Sequence, residues 1–125
     1  PKPAYRWSEE KLIRGEVLEF LHEDAAITRS WESLLSQGGK VGVSTDVLAD
    51  AIERMVAERY DQSFEELLAL PLDENLPSAP TVEHLKHYAE QRRDASRAMV
   101  DGLRSRDKAK VREALGLARQ SGKDK

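Results

Sequence analysis

Cysteine is absent from this 125-residue chain, which excludes a disulfide framework, a thiolate zinc site and a thiol nucleophile. Aromatic residues make up only 6% and histidine contributes three positions, so base-stacking platforms and histidine-rich metal sites have little to draw on. No run of about 18 uninterrupted apolar residues occurs, so no segment reads as a membrane span. The start, Pro1-Lys2-Pro3-Ala4-Tyr5-Arg6-Trp7, has no apolar leader stretch, and the expected location is the cytoplasm. Strict apolar/polar alternation is missing and β-branched residues are scattered, which leaves little from which to build a sheet. No internal repeat at a fixed period is visible.

Catalytic signatures are also missing. Gly42-Val43-Ser44-Thr45-Asp46 lacks the second glycine of a nucleophile elbow. Gly38-Gly39-Lys40-Val41 lacks both the leading glycine and the following Ser/Thr of a phosphate loop. Glu19 and His22 form a single E-x-x-H spacing, whereas a carboxylate-bridged metal pair needs two such motifs and further inward glutamates. His84 and His87 stand three apart beside an apolar stripe, where ordinary flanking polar residues belong. No catalytic, cofactor or metal residue is assigned, and the chain is read as a non-enzyme.

The chain does have helical periodicity. From Ser8, Leu12, Ile13, Val17, Phe20 and Leu21 recur at three- and four-residue steps. A second helix is expected over 25–37, with Ile27, Trp31, Leu34 and Leu35 on one side and Gly38-Gly39 stopping it. A third is expected from Ser44–Asp46 to Tyr60, with Val47, Leu48, Ala51, Ile52, Met55 and Val56 inward. Ser63-Phe64-Glu65-Glu66 has capping-box spacing for a short helix. Pro71, Pro77 and Pro80 mark 71–80 as an irregular connector. Thr81 then opens a long helix, whose inward positions between Ala89 and Met99 include Arg92, Ala95 and Ser96. Asp107 caps a last helix, before a short tail over 122–125. The expected fold is all-α: a single helical bundle of about five or six helices, ending in a helical hairpin over 81–121.

Charge is divided unevenly. Residues 1–80 carry 8 Lys/Arg against 16 Asp/Glu, a net −8, while residues 81–125 carry 12 against 7, a net +5. An acidic half and a basic half within one fold favour an acidic partner, nucleic acid or a second copy of the chain. The basic hairpin supplies the candidate partner-binding residues Arg92, Arg93, Arg97, Arg104, Arg106, Lys108, Lys110 and Arg112. Acids interleaved at three- and four-residue spacing neutralise part of that charge. The functional expectation is a helical protein-interaction or regulatory, accessory module that contacts an acidic surface, with homo-oligomer formation favoured by the divided charge. The alternative is a helix-turn-helix-like DNA-binding regulator using 44–54 with the C-terminal arginines on phosphate. Its weakness is that Asp46, Asp50 and Glu53 lie on the would-be reading helix.

Overall fold

The computed structural model describes residues 5–38, 40 and 42–123. Among these the regular elements are all helical: α1 (Trp7–Gly38), α2 (Thr45–Ile52), a π-turn (Glu53–Ala57), α3 (Glu58–Leu68), α4 (Ala79–Arg104) and α5 (Lys108–Lys123). Because α2, the π-turn and α3 run end to end, the described residues form four rods rather than five or six separate helices.

Two expected breaks are therefore corrected. The polar stretch His22-Glu23-Asp24 does not interrupt α1: it holds no Gly or Pro, it is followed by the strong helix formers Ala25 and Ala26, and Asp24 is engaged by side chains from other helices. Likewise Ser63 does not cap a new helix but is buried in the middle of α3. The wide π-turn between α2 and α3 allows both Val56 and Ala57 to be buried. In the pairs Leu12-Ile13, Val47-Leu48, Met55-Val56 and Leu67-Leu68 only one member faces inward, so Leu12, Val47, Met55 and Leu68 lie exposed.

The connector is the third correction. Pro80 belongs to the first turn of α4, where its missing N–H has no helical partner to lose, so the helix begins at Ala79 and not at Thr81. Residues 71–78 are fixed by short turns. Asp73 accepts from the amide of Asn75 through its side chain and from the amide of Leu76 through its carbonyl, at 2.8 and 3.1 Å. Leu76 itself is only 2% exposed and packs among Ile13, Phe20, Leu67, Ala79, Val82, Leu85 and Ala89, the apolar cluster at one end of the bundle. At the other end Ile27, Trp31 and Leu34 meet Ile52, Val56, Met99, Val100 and Ala114.

Glu10, fully buried on α1, fastens the start of α4. Its carboxylate accepts from the amide and hydroxyl of Ser78, at 2.8 and 2.7 Å, and pairs with Arg14 at 2.6 Å. A carboxylate there also faces the positive end of the α4 dipole. Burial alone would push the Glu10 carboxyl up, but the Ser78 and Arg14 contacts outweigh it and hold the group below its ordinary value. The stabilisation is thus present above the usual carboxylate value of about 4.5 and is lost as pH falls through Glu10's own lower value. In denaturant titrations at a series of pH values, Glu10→Gln should flatten this acid-side loss. An unchanged profile would exclude Glu10 as its source.

Candidate interaction surface

The eight candidate cations of α4, α5 and the turn between them separate into three environments. Arg92 departs from the expected surface role: it is 6% exposed and lies against Trp31, Tyr60 and Ala118 of the second apolar cluster. Its guanidinium sits 4.6 Å from the centre of the Trp31 ring, with the Tyr60 and Tyr88 rings at 5.6 and 5.8 Å. Arg92 Nε donates to Tyr60 Oη, Nη2 to Thr28 Oγ1, and Nη1 to the carbonyl of Ala118 and to Ser121 Oγ, at 3.0–3.4 Å. Tyr60 and Tyr88 in turn donate to the buried Asp24 carboxylate at 2.7 and 2.6 Å. Burial foremost, and then Asp24, push both tyrosines up from their ordinary values, so they remain protonated donors. Ser121, expected near the frayed tail, is helical and buried in this network; positions 124 and 125 fall outside the described residues.

A second group is neutralised across the bundle. Arg93 bonds Asp61 and Asp94 and lies over the Phe64 ring; Arg97 reaches Asp61 at 3.8 Å and Glu53 at 4.0 Å; Arg104 bonds Asp50 at 2.9 Å. The acidic and basic halves of the sequence therefore meet inside one chain. Asp46 and Asp50 of α2, which weighed against groove reading by 44–54, are turned toward Arg106 and Arg104.

The third group crowds the α4–α5 turn. Here the Asp107 amide donates to the Gly102 carbonyl at 2.9 Å and the Arg106 amide to that of Leu103 at 3.2 Å, the pair of bonds that closes a Schellman motif. The left-handed position of this motif, usually glycine, is occupied by Arg106 with φ +53°. Asp107 then caps α5 by accepting from the amides of Ala109 and Lys110. Immediately after the cap come Lys108, Lys110 and Arg112, all exposed, with no acidic residue in the first turn of α5 and no ion pair among the described residues. Cations at this end oppose the helix dipole. Beside Lys108 and Arg112 lies an apolar depression of about 520 Å³, floored by Gly102, Leu103 and Val111 and edged by Thr45, Arg106 and Asp107. A side chain at Gly102 would meet Val111 at 3.0 Å, so the glycine sets the close approach of the two helices.

His22, His84 and His87 are exposed, and among the described residues no His/Asp/Glu group is arranged to hold a metal ion. No described helix is long and apolar enough to cross a membrane. Sequence composition named the cations at the turn, but it did not point to the buried network of Asp24, Thr28, Tyr60 and Tyr88. The available signal was a polar residue inside each apolar stripe: Asp24 between Phe20 and Ile27, and Tyr88 and Arg92 flanking Ala89. The chain shows no significant match to a protein family, a curated protein or a solved structure, so the functional reading rests on its own chemistry.

Proposed function

We propose that this protein is a non-enzymatic docking module whose α4–α5 turn receives an acidic segment of another protein. One observation carries the reading: at this turn, and while the neighbouring arginines of α4 are paired internally, the chain repeatedly departs from what stability favours. Arginine occupies a left-handed position at a cost of about 1 kcal/mol. Lys108 and Lys110 oppose the α5 dipole at about 0.3–1 kcal/mol each. The exposed Arg106–Asp46 contact at 3.6 Å offsets these costs only in small part, and local choices that lower stability mark places used for something else. The apolar depression beside Arg106, Lys108 and Arg112 suits an acidic segment that also carries one aliphatic or aromatic side chain, and the charge selects the sign of the partner.

The test uses a labelled acidic peptide of alternating Glu and Leu, with random-sequence duplex DNA as the competing class. Saturable peptide binding should weaken as salt is raised and should be lost in the Lys108→Glu/Lys110→Glu/Arg112→Glu variant. Because acids suit the start of α5, that variant should be at least as stable as the parent, which separates lost binding from unfolding. Arg106→Gly should raise stability by about 1 kcal/mol while weakening the peptide. Duplex DNA bound more tightly than the peptide at low salt would overturn this reading in favour of the DNA-binding regulator. A mass that rises with concentration in light scattering would identify the partner as a second copy.

A further inference from the structure

A recess of about 420 Å³ opens between α1, α4 and α5, away from the basic turn. Leu35, Leu115 and the Trp31 ring provide apolar walls, Thr28 and Arg92 contribute polar groups, and Arg119 is exposed at its α5 edge. Its volume falls in the range that holds small organic ligands. Two features go beyond an ordinary crevice. Trp31 is buried, yet its indole N–H has no acceptor among the described residues, although buried tryptophans usually find one. The Arg92 guanidinium bonds Tyr60, Thr28, Ala118 and Ser121, all through neutral oxygens, and only one of the two Nη2 hydrogens is engaged by Thr28.

We infer that this recess binds a small apolar monocarboxylate, with the carboxylate between Arg92 Nη2 and Arg119 and the hydrocarbon part between Leu35 and Leu115 beside the Trp31 ring. A carboxylate matches a guanidinium in shape as well as charge. Glu32 on the α1 edge is exposed and carries the opposite sign to Arg119, so it disfavours a second anionic group on the ligand and selects a monoacid over a diacid. Nearest the guanidinium α5 presents the small Ala118 and Gly122: a Cβ at Gly122 would lie 3.8 Å from Arg92 Nη1, so a larger side chain there would narrow the approach.

The chain has two tryptophans, so in the Trp7→Phe variant the fluorescence reports on Trp31 alone. Octanoate titrated into this protein should give a saturable change, with octanol and octanedioate at least about tenfold weaker. Arg119→Glu should raise the octanoate Kd by about tenfold or more and Glu32→Gln should lower it, both with unchanged melting temperatures. The Lys108/Lys110/Arg112 reversal should leave octanoate binding unaltered, which keeps this site separable from the docking turn. The proposal is overturned by any of three results: no saturable change below about 5 mM octanoate, octanol binding as well as octanoate, or indifference to Arg119→Glu.

Discussion

Arg92→Met is expected to lower the stability of the protein by about 3–5 kcal/mol, the usual consequence of removing one member of a buried charged network. The volume is nearly conserved, so the loss would come from polar groups rather than a cavity. Without the guanidinium, the Ala118 carbonyl and Ser121 on α5, Thr28 on α1 and Tyr60 on α3 all lose a donor, and the buried Asp24 loses the positive charge that reaches it through Tyr60. Arg92→Lys should recover only part of the loss, because an ammonium cannot address four oxygens in a plane. Urea denaturation followed by far-ultraviolet circular dichroism measures both variants. A loss under about 1 kcal/mol for Arg92→Met would mean that the network is ornamental to the fold.

Leu76→Ala is expected to cost about 2–5 kcal/mol, as for other leucines removed from a well-packed interior. A position in a loose linker would tolerate the change within about 0.5 kcal/mol, so the same denaturation experiment distinguishes a plug from a tether. Leu76 is 2% exposed, seated among side chains of α1, α3 and α4, and the turn at Asp73 and the Ser78–Glu10 contacts hold the segment on either side of it. The substitution should also shift the pH profile, because displacing 73–78 loosens the Ser78 donors that keep Glu10 ionised.

These two residues mark where sequence reading succeeds and where it stops. The all-helical character follows from apolar residues that return every three or four positions, and most of that stripe, Ile13, Phe20, Ile27, Trp31, Leu34, Ile52, Val82 and Leu85 among it, is buried. Helix ends were harder to read. The expected breaks, before residue 25 and at the capping-box spacing of Ser63, do not form, because a polar residue within a helix is harmless when a distant partner satisfies it, as Tyr60 and Tyr88 do for Asp24. The proline-rich composition of 71–80 concealed Leu76, since a single leucine has no period of its own. For Arg92, helical spacing said inside and charge said outside. Spacing prevails because Thr28, Tyr60, Ala118 and Ser121, each at least 26 residues away in the chain, converge on it, and no local pattern encodes that convergence. The cations at the turn were legible as composition, but the left-handed backbone at Arg106 that sets them apart was not.

The make-up of α5 has a consequence for how the molecule breathes. Its buried residues are the small Ala114, Ala118 and Ser121, with Leu115 partly buried on the core, so it anchors through fewer large apolar side chains than α1 or α4 and relies also on two bonds from Arg92 and the close seat at Gly102. Amide protons of α5 should therefore exchange with solvent ahead of those in α1 or α4, through partial opening rather than global unfolding. A protein gripping the beginning of this helix, or an acid lodged along its side, would slow that exchange, and the rod least firmly held by the interior would become the one that registers occupancy.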